Sequence, residues 1–148
     1  MIAIEPATPA DLPALTGLLD ILFSIEQDFC PDAEKQQRGL ELLLSRPENA
    51  VILVARGAQG VIGMVSAQLV ISTASGAPSA WIEDVVLHPE RRAQGIGRKL
   101  LDAAADWAIG KGARRVQLLA DADNAPALGF YEHQGWEPTR LFAWRKFL

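Results

Sequence analysis

The residues best suited to chemistry in this chain lie in one stretch, from Val85 to Leu100. An apolar segment there runs into a basic turn and then into a predicted helix that begins with Gly95 and Gly97. Backbone N–H groups at a helix start point towards an anion, glycines let it approach the main chain, and the helix dipole adds favourable potential. The stretch therefore predicts a phosphate site, to which four basic residues add positive charge: Arg91, Arg92, Arg98 and Lys99.

Two common phosphate-binding loops do not fit this stretch. A Walker loop requires Gly-Lys-Ser/Thr, whereas the second glycine here is followed by Arg98-Lys99-Leu100. A dinucleotide-binding loop requires a third small residue where Leu100 stands, and it belongs to the first βαβ unit of a chain. Both classes are excluded.

The elements around the stretch are typical of one α/β domain over residues 1–148, with a mixed sheet and helices on both sides. Periodicity and turn residues predict them one by one. They are strand Ile2–Glu5, a helix from Thr8 to about Leu22, helix Asp32–Ser45, strands Val51–Arg56, Val61–Ser72 and Trp81–Leu87, helix Gly95–Gly110, strand Val116–Ala120, helix Asn124–His133, and one or two strands within Trp136–Leu148.

Composition limits the function classes. The chain is 49% hydrophobic and 22% charged, with no apolar run near the roughly 20 residues of a membrane helix and no visible secretory signal, so we expect a cytoplasmic protein that does not bind membranes. The single Cys30 excludes an internal disulfide, and we expect no metal site.

The charge of the chain is unevenly distributed. Residues 1–50 hold nine acidic and three basic residues, whereas residues 51–148 hold nine acidic and eleven basic ones. This distribution argues against nucleic-acid binding, which favours a concentrated basic face. It suits an anionic cofactor with a cationic acceptor, although ordinary solvated helix faces would produce the same pattern.

The segment Arg92-Ala93-Gln94-Gly95-Ile96-Gly97 resembles the signature Arg/Gln-x-x-Gly-x-Gly/Ala of the GNAT N-acetyltransferases, which follows their fourth strand. Trp81–Pro89 is similar to that strand and its turn. Asn124–Trp136 is similar to a downstream motif in which Asn begins a helix and Tyr follows seven residues later. The resemblance implies a mixed, mostly antiparallel sheet that splays between strands 4 and 5. It also implies direct acetyl transfer from acetyl-CoA to a primary amine.

The same resemblance implies roles for individual residues. The backbone of Val85, Val86 and Leu87 would pair with the pantetheine arm, and residues 92–97 would hold the pyrophosphate, with Arg98 beside them. Asn124 would cap its helix and could also contact the cofactor. Tyr131 would protonate the departing thiolate, and its alternative role is helix packing.

Glu83 is the candidate general base. It interrupts an apolar strand two residues before Val85, and strand alternation predicts that these two side chains share a face. The alternatives for Glu83 are an arginine partner or solvent. Asp84 is predicted to point to the opposite face, in a structural role.

Other residues bear on the substrate. Ribosomal-protein N-terminal acetyltransferases of the family that this chain resembles carry Glu where Leu119 stands here, so we expect a small acceptor rather than a peptide N-terminus. Small amines, polyamines, aminoglycosides and amino-acid derivatives all stay open as acceptors. His88 and His133 are predicted on the surface. Trp136, Phe142 and Trp144 are expected in the core, and their alternative role is to form the wall of a pocket. The alternative function is a non-catalytic acyl-CoA-binding sensor or a partner-binding module on the same fold, and the presence of Tyr131 argues against it. Whether the chain forms a homodimer is left open.

Overall fold

The elements of the chain follow the predicted order up to residue 133 in the computed structural model, which describes residues 1–26 and 28–148. Among the described residues, no helix is long and apolar enough to cross a membrane. Two short 3-10 helices, Pro9–Asp11 and Pro89–Arg91, precede longer helices. The other elements are β1 Ala3–Pro6, α1 Leu12–Ile25, α2 Ala33–Leu44, β2 Ala50–Gly57, β3 Gly60–Ser72, β4 Ala77–Leu87, α3 Ile96–Gly110, β5 Val116–Leu118 and α4 Ala125–His133.

The chain divides into two compact units, residues 1–118 and residues 119–148. The first unit contains β1–β5 and α1–α3, and the second contains α4 and the C-terminal segment. The single domain expected over residues 1–148 stays a prediction.

The sheet of the first unit has the strand order β1-β2-β3-β4-β5. Neighbouring strands are antiparallel except for β4 and β5, which run parallel. The β4–β5 pairing is short and joins Ala80–Ile82 to Val116–Leu118. The predicted mixed, mostly antiparallel sheet is therefore confirmed.

Helices cover both faces of this sheet. The face that carries Ile52, Val54, Met64 and Val86 packs against four leucines of α1 and α2, namely Leu15, Leu18, Leu19 and Leu40. On the other face, a Cβ built on Gly63 would lie 3.3 Å from Leu100 Cδ1 of α3. Gly63 precedes Met64 in β3, so successive positions face α3 and α1 in turn. Burial of each large apolar side chain contributes about 1.5–3 kcal/mol, and these two layers fix α1 and α3 on the sheet.

A charged cluster fixes the start of α1 on β1 and β2. Arg56 donates hydrogen bonds of 3.0 Å from Nη1 and Nη2 to the two carboxylate oxygens of buried Asp11, and its Nε bonds Glu5. Asp11 also accepts a 2.9 Å bond from Thr8 N, which confirms Thr8 as the residue before the first helical turn. The Arg56 hydrogen bonds lower the pKa of Asp11, so this cluster stays charged near neutral pH.

The C-terminal strands predicted within Trp136–Leu148 are wrong, because residues 137–148 form no strand. Phe142 and Trp144, which were expected in the core, are 87% and 95% exposed. A strand is stabilised only by pairing with a neighbour and by burial of one face. Composition favoured a strand but could not indicate a partner for it.

Candidate active site

A bulge in β4 sets the geometry of the two strand acids. Ser66 pairs with Asp84 and the next residue of β3, Ala67, pairs with Ile82, so Glu83 is an extra residue in β4. An extra residue of this kind breaks the alternation of side chains along a strand. Glu83 and Asp84 consequently line the same cavity. The prediction that they point to opposite faces is wrong, because it assumed an uninterrupted strand.

The cavity lies between α1, α2 and the sheet, within the first unit, and has a volume of about 510 Å³. That volume falls within the range of small-molecule pockets, about 300–1,000 Å³. Apart from the two acids, its described lining residues come mainly from α1, α2 and the segment between them, and include Phe23, Gln36, Gly39 and Arg46.

Asp84 combines partial burial with a close hydroxyl partner. Ser66, which is fully buried, donates from Oγ to Asp84 Oδ2 at 2.9 Å and accepts from Asp84 N at 3.2 Å. Burial raises the pKa of Asp84 to about 6, the negative charge of Glu83 also raises it, and the Ser66 hydrogen bond opposes the rise. A carboxyl group with a pKa near 6 is mostly ionised at neutral pH and can be reversibly protonated there.

The backbone of β4 has an open edge next to these acids. His88 N donates to Ile62 O of β3 at 2.8 Å. Hydrogen-bonded and non-hydrogen-bonded residues alternate along an antiparallel pair, so Val86 also bonds β3. Val85 and Leu87 therefore direct their N–H and C=O groups to the other edge of β4. In the described part of the chain, β5 pairs with β4 only as far as Ile82. This geometry favours Val85 and Leu87 as the residues with available backbone groups. The side chain of Val86 lies in the core cluster.

The glycine-containing loop opens α3 in the predicted way. Gly95 occupies the position before the helix with φ +77° and provides no side-chain cap, so the first N–H groups of α3 have no such acceptor. Ala93 also has a positive φ, +60°, which is uncommon for a residue other than glycine. Backbone that alternates between right- and left-handed conformations forms concave anion sites. A Cβ built on Gly95 would meet nothing within 4 Å, so the space beside this residue is open.

Side chains around the loop differ in their availability. Ile96 and Gly97 are buried, so these residues can offer a ligand only their backbone. Arg92, Gln94 and Arg98 are exposed, and Arg98 Nε lies 3.7 Å from Asp102 Oδ2. The basic charge that the sequence placed near the loop is therefore present at its surface.

The second unit contains the remaining two predicted site residues. Asn124 Oδ1 accepts a 3.2 Å hydrogen bond from Ala127 N, which confirms Asn124 as the helix cap of α4. The Tyr131 ring makes edge contacts with Phe130 and Trp136, at centroid distances of 5.4 and 5.9 Å. Their roles towards a cofactor and a leaving group stay predictions.

Asp84, which was predicted to have a structural role, lines the cavity beside Glu83. The only sequence signal for this position was a second acid in an apolar strand. His88 and His133 are exposed, as expected, and His88 Nδ1 accepts from Glu90 N at 3.4 Å. Cys30 is exposed and lines the cavity.

Three known proteins show the relationships of the chain. The uncharacterized N-acetyltransferase YhfO of Bacillus subtilis (strain 168) is 31% identical over 141 residues, which cover 94% of this chain and 92% of that protein. The aminoglycoside acetyltransferase meta-AAC0020 from an uncultured soil metagenomic sample, solved in complex with sisomicin, is 26% identical with a TM-score of 0.77, over 99% of this chain and 97% of that one.

The aminoglycoside N-acetyltransferase AAC(6')-Iy, solved in complex with CoA, has a TM-score of 0.83 over 99% of this chain and 95% of that one. Its identity is 19%, so this likeness concerns the fold alone. The sequence model of the Acetyltransferase (GNAT) family matches residues 15–136. With the family's glycine loop, strand order and close relatives all in agreement, this chain belongs to the GNAT family of acetyltransferases.

Proposed function

We propose that this protein transfers the acetyl group of acetyl-CoA directly to the primary amine of a small acceptor. One observation carries the proposal: a single strand, β4, has an open backbone edge at Val85 and Leu87 beside two carboxylates that line a cavity. A donor held on the edge and an acceptor held in the cavity would then meet at the same strand. Family membership and the CoA complex of AAC(6')-Iy support acetyl-CoA as the donor.

The loop fits the pyrophosphate of CoA. The open space beside Gly95 admits an anion to the uncapped N–H groups of α3, and the helix dipole and exposed Arg92 and Arg98 favour its charge. The amide groups of the pantetheine arm can pair with the open N–H and C=O groups of Val85 and Leu87 in the manner of a sheet. One such N–H group would stabilise the oxyanion of the tetrahedral intermediate.

The carboxylate pair supplies the base. A free amine has a pKa near 10 and is mostly protonated at neutral pH, where it cannot attack. Exposed Glu83 binds the incoming ammonium group, and half-buried Asp84 takes its proton, directly or through water. The neutral amine nitrogen then bonds to the acetyl carbon, and the C–S bond breaks as the intermediate collapses. Tyr131 gives its proton to the thiolate, and the second proton of the nitrogen returns to Tyr131 through water, leaving an amide and free CoA; Asp84 releases the first proton to solvent.

Turnover with a panel of amines, measured together with calorimetry of acetyl-CoA binding, tests this function. Products are best followed by mass spectrometry, because a thiol reagent would also react with exposed Cys30. We expect acetyl-CoA binding and acetylated product with at least one class of amine. Binding without product across the panel would favour an acyl-CoA sensor, and absence of binding would contradict the proposed function altogether.

A further inference from the structure

The cavity beside Glu83 and Asp84 has a mainly apolar wall. Phe23 and Phe29 contact each other at a ring-centroid distance of 5.5 Å, and both line the cavity. Phe29 is 50% exposed and Leu42 is 57% exposed, so part of this wall faces solvent. The apolar residues that line the cavity are Leu19, Phe23, Phe29, Leu40, Leu42 and Leu43. A ligand with an apolar body would cover this surface and remove it from water, which favours binding.

Charge in the cavity is separated. The adjacent acids Glu83 and Asp84 belong to β4, whereas the two cations in the described lining are Lys35 of α2 and Arg46, which follows the end of α2. The third acid in the lining, Asp32, caps α2 by accepting from Lys35 N at 3.2 Å and lies 3.7 Å from Lys35 Nζ. A ligand with one ammonium group can meet the acidic pair, but further ammonium groups would meet apolar surface or like charge. Both contacts are unfavourable.

From this lining we infer that the acceptor is a monoamine with an aliphatic or aromatic body, and that polyamines and aminoglycosides are poor acceptors. The inference deepens the proposed function and rests on it for the acetylation step. The ammonium group binds at Glu83 and Asp84, and the apolar body lies against α1 and α2. This distinguishes the chain from the aminoglycoside acetyltransferases whose fold it shares.

Gly39 provides a specific test of where the apolar body lies. It is an interior residue of α2 that lines the cavity, and a Cβ built on it would meet nothing within 4 Å. Gly39→Phe therefore places a ring towards the cavity without an intrinsic clash at Cβ. Gly17→Phe is the matched control, because Gly17 lies in α1, is outside the cavity lining and also has open space at its Cβ.

The first measurement compares kcat/KM for 2-phenylethylamine, hexylamine, spermidine and kanamycin. We expect the two monoamines to exceed the polycations by about 10-fold or more. Gly39→Phe should raise the KM for 2-phenylethylamine by about 10-fold with the KM for acetyl-CoA unchanged, whereas Gly17→Phe should change neither. Polycations acetylated as well as the monoamines, or a Gly39→Phe variant equal to Gly17→Phe, would overturn the inference but leave the proposed function in place.

A second measurement does not require catalysis. Cys30 is the only cysteine of the chain and lines the cavity, so its rate of alkylation by iodoacetamide reports on occupancy. We expect 2-phenylethylamine to slow this reaction several-fold in the parent and in Gly17→Phe, but not in Gly39→Phe. Spermidine should have no such effect. Protection by 2-phenylethylamine without acetylation of any amine would support the binding site and contradict the proposed function, whereas equal protection by spermidine would contradict the inferred class.

Discussion

Replacing Asp84 with asparagine should make the protein more stable and less active. The half-buried carboxyl is ionised at pH 8 although burial disfavours its charge, whereas an asparagine is neutral and can still accept the Ser66 hydrogen bond through Oδ1. A functional acid of this kind lowers the stability of the fold in which it works. The Asp84→Asn variant separates the two contributions because it keeps the shape of the side chain.

The stability difference follows from the pKa of Asp84. Its value of about 6 in the fold, against 3.8 as the ordinary value, corresponds to roughly 3 kcal/mol at about 1.4 kcal/mol per tenfold change. Partial exposure reduces this figure, so we expect a gain of about 1–3 kcal/mol at pH 8. Because the folded pKa of Asp84 is raised, the stability that its neutral form contributes is fully present below the unfolded pKa. That contribution is lost as the pH rises from the unfolded pKa to the folded pKa of about 6. The variant's advantage should thus shrink to about half at pH 5.

Thermal unfolding at pH 8 and pH 5, together with the pH–rate profile, measures both effects. For a domain of this size, each kcal/mol shifts Tm by about 2–4 °C. In the wild type, kcat/KM should rise with pH through an inflexion near 6, which the variant should lack, and turnover at pH 7.5 should fall about 10²-fold. A lower Tm for Asp84→Asn at pH 8, or a Tm difference independent of pH, would refute the electrostatic reasoning. An unchanged inflexion would remove Asp84 from the proton transfer.

Three further substitutions test the other parts of the site. In calorimetry, Gly95→Asp should weaken acetyl-CoA binding about 10- to 100-fold relative to Gly95→Asn. Both Asp and Asn tolerate the positive φ of this position, but only Asp adds a negative charge near the pyrophosphate. Equal affinities of the two variants would place the anion elsewhere. Glu83→Gln should lower turnover about 10²-fold. It should also move the inflexion of the pH–rate profile to a lower pH than in the wild type, because the charge of Glu83 raises the pKa of Asp84. A pH–rate profile equal to that of the wild type would exclude Glu83 from the mechanism. Tyr131→Phe should reduce kcat about 10- to 10³-fold with little change in acetyl-CoA affinity, because it removes the hydroxyl and keeps the ring contacts with Phe130 and Trp136; full activity would leave Tyr131 a packing residue.

Local patterns in the sequence predicted the order of the elements up to residue 133 and the glycine-containing start of α3. The leucine spacing of α1 places Leu15, Leu18 and Leu19 in the core, as periodicity requires. Asn124 caps α4 because a short amide side chain favours that position in any context. Glycines before α3 predicted an open helix start, since only backbone conformation and a missing side chain were needed.

The acid pair and the C-terminal segment depended on partners that the sequence does not indicate. A bulge is a property of the register between β3 and β4, so alternation along β4 alone placed Glu83 and Asp84 on opposite faces. The raised pKa of Asp84 likewise depends on its burial in the fold, and the hydrogen bond that opposes the rise comes from Ser66, a residue 18 positions earlier in the chain. Aromatic residues near the C-terminus favoured strands, but residues 137–148 pair with none.

Transfer of labelled acetyl groups tests the central claim most directly. Acetyl-CoA labelled in its acetyl carbonyl is incubated with the protein and, in separate reactions, with 2-phenylethylamine and the other amines of the panel, and label in the amide product is measured together with free CoA. We predict that labelled N-acetyl-2-phenylethylamine and CoA appear in equal amounts, and that the Asp84→Asn variant slows both about 10²-fold at pH 7.5. Tight acetyl-CoA binding without labelled amide from any amine of the panel would contradict the assignment of this protein as an acetyltransferase.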